Sequence, residues 1–264
     1  MTTTTGGHLL KAEGVTMRFG GLTALDDVGI QVAPGTVVGL IGPNGAGKTT
    51  LFNVLSGVLK PTEGAITWKG ERTGKTGPHR LARAGIARTF QGLNLFPMMT
   101  VLENVVAGAD RLAKGGALSM VTGLLGHHRD ERVIREKACA TLQRFGIAEF
   151  AHHFPGMLPY GIQKQVALAR ACVGDPELLL LDEPASGLSK QQVDNLADQI
   201  RGFSNDMAVV LVEHHMDLVM KVCDHIVVLN FGQVISTGTP EQVQADPAVT
   251  RAYLGEPAAD GGTR

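Results

Sequence analysis

The sequence contains little cysteine, little net charge and few aromatic residues. Its three cysteines, Cys139, Cys172 and Cys223, lie far apart and form no Cys-x-x-Cys pair. This spacing predicts free, buried thiols and excludes a disulfide framework or a cysteine-based zinc site. The formal net charge is −1, so no general electrostatic attraction favours nucleic acid as a partner.

Long apolar runs are also missing. The longest, Leu178–Leu181, is far shorter than the ~18 residues that cross a bilayer and is typical of a buried strand. Residues Met1–Gly7 offer neither a basic nor an apolar segment, which predicts no secretion signal. We therefore expect any role at a membrane to depend on a partner. Residues 1–8 and 255–264 are expected to be a disordered start and a flexible tail.

The order of the remaining segments predicts an α/β domain over residues 9–254. Residues 9–32 have the pattern of strands with a turn at Gly20–Gly21. After residue 173, short apolar strands alternate with helical segments, which favours a parallel sheet covered by helices. Between these parts, residues 101–173 have a mostly helical pattern and contain a glycine-rich insertion at residues 109–128.

A phosphate-binding loop is the most specific motif. It lies between a short apolar strand and a helix, and matches Gly-x-x-x-x-Gly-Lys-Thr with Gly42, Pro43, Asn44, Gly45, Ala46, Gly47, Lys48 and Thr49. Glycines let backbone N–H groups surround phosphate oxygens, and the helix directs its N-terminal dipole at the anion. Lys48 is expected to neutralise the β- and γ-phosphates, and Thr49 to offer its hydroxyl to Mg²⁺. The adjoining Thr50 is predicted to belong to the same nucleotide-binding set.

Two carboxylates end the apolar strand Leu178–Leu181. Asp182 is expected to hold Mg²⁺ through water, and Glu183 to polarise the attacking water as general base or as its orienting group. Acidic residues after strands are common by themselves. Together with the phosphate loop, this pair predicts an enzyme that binds and hydrolyses a nucleotide.

A third segment, residues 158–171, opens a helix just upstream of the acidic strand. Leu158 and Gly161 match the Leu-Ser-Gly-Gly-Gln signature of ABC ATPases, whereas Pro159, Tyr160 and Ile162 depart from it. Its position before the acidic strand is the one that ABC proteins use.

Four further positions are similar to ABC motifs, and the resemblance implies a role for each. Gln91 resembles the glutamine that touches Mg²⁺ and faces the permease, and His214 resembles the histidine that contacts the γ-phosphate. Phe19 resembles the aromatic residue that stacks on adenine. Residues 186–189 resemble the D-loop, with Ser189 in place of its aspartate.

Residues 9–254 resemble the ATP-binding subunits of ABC transporters, above all those of importers for branched-chain (hydrophobic) amino acids. The segments most similar to that subfamily are Gly20–Val28, Leu51–Gly57, Ala87–Gln91, Val212–His214, Met216–Met220, Asp246–Val249 and Ala252–Gly255. The resemblance implies a P-loop NTPase with a RecA-like core, an N-terminal antiparallel β lobe and a helical subdomain near residues 101–173.

The same resemblance implies an ATPase that uses ATP and Mg²⁺. ATP would lie between the phosphate loop of one subunit and the Gly161 signature of a second, which is a paralogue or another copy. Transmembrane permease subunits, an indirectly acting extracytoplasmic solute-binding protein and a peripheral position at the cytoplasmic face of the membrane are also implied.

Several alternatives stay open. Amide and urea importers share much of the pattern, so the solute is undecided. An exporter motor, such as a lipopolysaccharide-extracting ATPase, and a non-transport ABC ATPase are the main rivals. A P-loop kinase outside the ABC family would leave the signature segment and His214 unexplained.

Pro159 predicts that the two ATP sites of a dimer hydrolyse ATP at unequal rates. It stands where the signature serine donates to the γ-phosphate of the opposite subunit, and proline has neither a hydroxyl nor an N–H. A hydrogen bond to a charged group contributes roughly 1.5–3 kcal/mol. If the partner is a paralogue with an intact signature, we expect the site built on this chain's own phosphate loop to be the faster one.

The measurement places a glutamate-to-glutamine change in each subunit of the assembled complex separately. The hypothesis fails if blocking the paralogue abolishes turnover while Glu183→Gln leaves most of it. The alternative is that Pro159 is a tolerated variant, in which case both blocks would act equally.

Overall fold

The structure, a computed structural model, describes residues 7–73, 77–89, 92–109 and 127–254. Its strands are β1 (Leu10–Phe19), β2 (Leu22–Val32), β3 (Val37–Ile41), β4 (Glu63–Trp68), β5 (Glu71–Arg72), β6 (Ile86–Arg88), β7 (Leu178–Asp182), β8 (Ala208–Val212), β9 (His225–Asn230) and β10 (Gln233–Gly238). Its helices are α1 (Lys48–Leu55), α2 (Pro78–Ala84), α3 (Val101–Ala107), α4 (His127–Arg144), α5 (Tyr160–Cys172), α6 (Lys190–Phe203), α7 (Met216–Val222), α8 (Pro240–Ala245) and α9 (Pro247–Leu254).

Two sheets organise these elements. Strands β2-β1-β4-β5 form an antiparallel sheet, which is the predicted N-terminal β lobe. The second sheet has the order β10-β9-β3-β8-β7-β6. Its neighbours are parallel except for β10, which pairs antiparallel with β9. Every residue of β3, β7 and β8 is buried, as expected for a parallel sheet covered on both faces.

The core consists of two apolar clusters on the two faces of the parallel sheet. Successive side chains of a strand point to opposite faces, and β3 follows this rule. Helices α3, α4 and α5 form the helical block. Ile41 belongs to the cluster that contains this block, including Leu142 of α4. Leu40 belongs to the cluster that contains Phe52 of α1 and the antiparallel lobe. The sheet thus joins the phosphate-binding helix to the helical block through one continuous set of strands.

The strands predicted over residues 9–32 and the alternation of strands and helices after residue 173 are present. The signature helix α5 begins at Tyr160, within the segment 158–171 that was expected to open a helix. The C-terminal hairpin strand β10 and helices α8 and α9 were not predicted. Most of the predicted glycine-rich insertion, residues 110–126, lies outside the described residues, as do residues 1–6 and 255–264.

The prediction of three buried thiols is wrong for one of them. All three cysteines are free, but Cys139 is exposed on α4, whereas Cys172 and Cys223 are buried. Burial raises the pKa of each buried thiol to about 12, so both act as small apolar side chains.

Within the part of the chain that the structure describes, no helix is both long and apolar enough to cross a membrane.

Asn104 holds the backbone segment that directly precedes α3, the first helix of the helical block. This α3 residue is fully buried, and its side-chain oxygen accepts a hydrogen bond from the Phe96 N–H at 2.8 Å. Its Nδ2 lies 3.0–3.1 Å from the carbonyl oxygens of Phe96, Met99 and Thr100. One amide therefore fixes residues 96–100, directly before α3.

We predict that Asn104→Ala lowers the free energy of unfolding by about 1–3 kcal/mol, because buried backbone groups lose their partner. Urea denaturation of the full-length chain measures this. The control is Asn195→Ala on the exposed face of α6, which should change stability by less than about 0.5 kcal/mol. Equal losses in the two variants would contradict the role assigned to Asn104.

Candidate nucleotide-binding and hydrolysis site

The residues predicted to bind phosphate and to support hydrolysis follow or end three neighbouring strands of the parallel sheet. Strand β3 lies next to β8, and β8 lies next to β7. Because these strands are parallel, the loops that follow them meet at one edge of the sheet. The phosphate loop, the Asp182–Glu183 pair and the Glu213–His214 pair are therefore brought together from distant parts of the sequence.

The phosphate loop takes a path that only glycine fits at two positions. Gly42 has a φ of 149°, and a Cβ there would lie 2.1 Å from the carbonyl oxygen of Leu229. Gly47 precedes α1 with a φ of 101°, and its Cβ would lie 2.7 Å from the carbonyl oxygen of Ala24. The loop is thus confined by backbone on both sides, and it leads into a helix N-terminus that suits an anion.

Lys48 lies within this loop and is buried. Its Nζ donates to the carbonyl oxygens of Gly42 at 2.7 Å and Pro43 at 2.9 Å. Burial lowers the pKa of Lys48, and the negative charge of Glu183 acts against that shift. An anionic phosphate group would favour the charged ammonium in the same way.

A cleft of about 470 Å³ adjoins the loop, a volume suited to a small ligand. It is lined by Thr49, Thr50 and Glu183, together with Asn44, Gly45, Ala46, Gly47 and Lys48. Phe19, at the end of β1, lines the same cleft and is 46% exposed. Phe231, in the β9–β10 turn, is a second aromatic wall, and sequence reasoning missed it because nothing local links that turn to the loop.

Glu183 and His214 lie close together at the end of the sheet. Glu183 Oε1 is 3.6 Å from His214 Nδ1. Glu183 also has a φ of 48°, in the left-handed region that residues other than glycine rarely adopt. A strained backbone conformation persists only where surrounding contacts impose it, and such residues are concentrated at active sites. The structure therefore brings together the two side chains that the sequence assigns to hydrolysis.

Asp182 is buried and has a cationic neighbour that sequence reasoning did not assign to the site. Burial raises the pKa of Asp182, and the charge of Arg88 acts against that shift. Arg88 Nη2 lies 3.6 Å from Asp182 Oδ2, and its Nη1 donates to Asn53 Oδ1 at 2.7 Å and to Ser56 Oγ at 2.8 Å. Arg88 thereby connects the acidic strand to α1. Its partners lie 32 and more residues away, so no local signal identifies it.

The signature segment begins α5. Pro159 is the N-cap of this helix and makes no side-chain capping bond. Gly161 packs against α6, where a Cβ would lie 2.3 Å from Gln192 Nε2. Neither residue lines the cleft formed by this chain's own phosphate loop. Gln91, predicted to contact Mg²⁺, lies outside the described residues.

Comparison with known families fits this geometry. A family model described as ABC transporter matches residues 25–186, more than half of the chain. The chain belongs to the ABC transporter family of ATP-binding proteins. A second model, described as branched-chain amino acid ATP-binding cassette transporter, matches residues 233–259 of this ABC ATPase.

Relatives of this ABC ATPase match it over nearly their whole length. The high-affinity branched-chain amino acid transport ATP-binding proteins BraF of Pseudomonas aeruginosa and LivG of Escherichia coli are 42% and 41% identical to it. The lipopolysaccharide export system ATP-binding protein LptB of Haemophilus influenzae is 32% identical. Each match covers 94% of this chain and 98% of the relative.

Solved structures of ABC cassettes share the fold. The ADP conformation of MJ1267, an ATP-binding cassette of an ABC transporter, superposes with a TM-score of 0.81 at 30% identity, covering 95% of this chain and 100% of that one. The dimeric post-hydrolysis state of MJ0796, bound to ADP and Pi, gives 0.71 at 26% identity, covering 88% and 98%. The predicted family, fold class and ATPase activity are confirmed, whereas the roles of individual residues stay predictions.

We predict that Phe19 holds the base by stacking. Stacking contributes about 1–3 kcal/mol per base on nucleic acids, so Phe19→Ala should weaken ATP binding roughly 5- to 150-fold. Because stacking tolerates any base, ATP and GTP should be discriminated only modestly. Equilibrium titration with a fluorescent nucleotide measures both effects.

The matched control is Phe154→Ala, since Phe154 is 45% exposed and does not line the cleft. If Phe19→Ala keeps the wild-type affinity for ATP and Phe231→Ala binds ATP more weakly, Phe231 in the β9–β10 turn is the residue that stacks on the base. A preference for ATP over GTP of several thousandfold would require a polar group that forms hydrogen bonds with the base, and it would contradict the stacking prediction.

Proposed function

We propose that this ABC ATPase is the motor subunit of an importer for branched-chain amino acids. The observation that carries the solute assignment is the similarity to BraF and LivG, at 41–42% identity over 94% of the chain. The separate match of residues 233–259 to a branched-chain amino acid cassette family supports it, because that segment lies outside the general ABC match.

In this proposal, Lys48 binds the β- and γ-phosphates of ATP, and Glu183 orients or deprotonates the attacking water. His214, 3.6 Å from Glu183, contacts the γ-phosphate. Thr49, Asp182 and Gln91 would hold Mg²⁺, which when bound neutralises phosphate charge. The hydroxyl and carboxylate oxygens of this set suit that ion. Among the described residues no cluster of three or more His, Cys, Asp or Glu side chains could hold a metal, so phosphate oxygens would supply further ligands.

A second ATPase subunit would complete each site. Gly161 and the helix behind it lie away from this chain's own cleft, which suits a role in the cleft of a partner. The dimeric cassette MJ0796, bound to ADP and Pi, supports such an assembly. The partner in this proposal is a paralogue or a second copy.

The permease subunit would contact a groove of about 840 Å³ whose lining includes residues close to Gln91 in the sequence. Thr89 and Leu93, which flank the Gln91 region, line it together with Phe96 and Arg170. Arg170 donates to the carbonyl oxygen of Asn94 at 2.6 Å and lies over the Phe96 ring. Movement of α5, which carries Arg170, would thus be transmitted to the groove, and the chain would act at the cytoplasmic face of the membrane through this contact.

We predict that Glu183→Gln and Lys48→Ala separate hydrolysis from binding. Glu183→Gln should lower kcat at least about 100-fold with ATP affinity retained, because the amide keeps the shape but cannot accept the proton. Lys48→Ala should weaken ATP binding about 10-fold or more, because a charge facing the phosphates is lost. Binding and turnover of the purified, permease-coupled complex measure this, with exposed Glu149→Gln as the control. Turnover near wild type in Glu183→Gln would refute its assignment.

The assignment of the transported solute is tested in cells from which the gene for this chain has been deleted. We predict that uptake of radiolabelled leucine is lost on deletion, restored by the wild-type gene and not restored by Glu183→Gln. The similarity to LptB makes an exporter motor the second candidate. Normal leucine uptake together with a defect in outer-membrane lipopolysaccharide would favour that candidate and overturn the importer.

A further inference from the structure

Glu213 is a buried acidic residue that has no direct part in the proposed hydrolysis. It follows β8 and is 0% exposed. Its Oε1 accepts a hydrogen bond from the Ala185 N–H at 2.7 Å, and its Oε2 accepts from the N–H groups of His214 at 2.9 Å and His215 at 3.2 Å. Three backbone donors compensate for the burial of this carboxylate. One side chain therefore ties the loop after β7 to the loop after β8.

Lys164 holds the same β7 loop from the signature helix α5. Its Nζ donates to the carbonyl oxygen of Pro184 at 2.6 Å and lies 3.4 Å from that of Glu183. Burial lowers the pKa of Lys164, and the charges of Glu213 and Glu183 act against that shift. Two side chains of opposite charge thus hold residues 183–185, one through carbonyl oxygens and the other through an N–H.

The backbone of Glu183 requires such support. Its φ of 48° is a conformation that persists only where the surroundings determine it. Its N–H also donates to the Val212 carbonyl oxygen at 2.9 Å, directly before Glu213. The distance between the Glu183 and His214 side chains therefore depends on contacts that neither of them makes itself.

We propose that Glu213 and Lys164 are positioning residues that together fix Glu183 relative to His214. Through Lys164, this geometry depends on α5, the helix that carries Gly161. Rotation of the signature helix would then alter the hydrolysis geometry of the same subunit without changing Lys48 or the cleft. The inference rests on the proposed roles of Glu183 and His214.

The first test is Lys164→Met, which keeps the apolar stem and removes the ammonium. In the purified complex with its second ATPase subunit and permease we expect kcat for MgATP to fall on the order of 10- to 100-fold, because small displacements of a reacting group have effects of this size. The ATP dissociation constant should change by less than about twofold, since the groups that bind ATP are untouched. The control is Lys190→Met, an exposed lysine at the start of α6, which should keep the wild-type kcat.

The second test is the pair Glu213→Ala and Glu213→Gln. The alanine variant should lose kcat at least as strongly as Lys164→Met. The glutamine variant should recover part of it, because its amide oxygen still accepts backbone hydrogen bonds. Thermal unfolding is measured on each variant, with Glu149→Ala as an exposed control. If Glu213→Ala does not fold, Glu213→Gln and the substitution of the partly exposed lysine, Lys164→Met, still test the proposal.

Two outcomes would overturn the proposal. One is a wild-type kcat in Lys164→Met and Glu213→Gln. The other is a joint fall of kcat and ATP affinity that follows the loss of stability, which would mean a purely structural role. Glu183→Gln is measured beside them. If it turns over normally, the proposed site itself fails, whereas if it alone is inactive, only the positioning role fails.

Discussion

The lack of space around the phosphate loop is the constraint on which the rest of this structure depends. A side chain at Gly42 or Gly47 would collide with the backbone of Leu229 or Ala24. The turn after β9 closes a further side, because the Gly232 N–H donates to the Ala46 carbonyl oxygen at 3.0 Å. The antiparallel lobe, the β9–β10 hairpin and α1 therefore meet at a single junction. This junction sets how far the aromatic walls of the cleft lie from Lys48.

Buried charge is concentrated at the same edge of the sheet. Within the described part of the chain, the buried charged residues are Lys48, Asp182 and Glu213. Asp182 ends β7, and the other two come after strands of the parallel sheet. Each has polar partners that offset the cost of burial. Burial of ionisable groups at one concave edge is typical of a functional site. In this ABC ATPase, buried Glu213 also connects the loop after β7 to the loop after β8.

The helical block is connected to this edge by cations rather than by apolar contacts alone. Lys164 donates to the loop that carries Glu183, and Arg170 donates to carbonyl oxygens of the loop that follows β6. Both cations lie on α5, behind the signature. One helix therefore contacts the hydrolysis loop and the proposed permease groove, which is a physical basis for coupling the two.

The sequence by itself determined the phosphate loop and the acidic strand end, and its resemblance to ABC ATP-binding subunits implied the family and the antiparallel lobe. The loop and the strand end depend on neighbouring residues, since a glycine pattern between strand and helix, or carboxylates after an apolar strand, can be recognised locally. Only the tertiary structure decided the partners of Arg88, Lys164, Glu213 and Phe231. Their contacts join segments 20 or more residues apart, and the order of strands in the sheet, which has no local signature, decides which loops become neighbours.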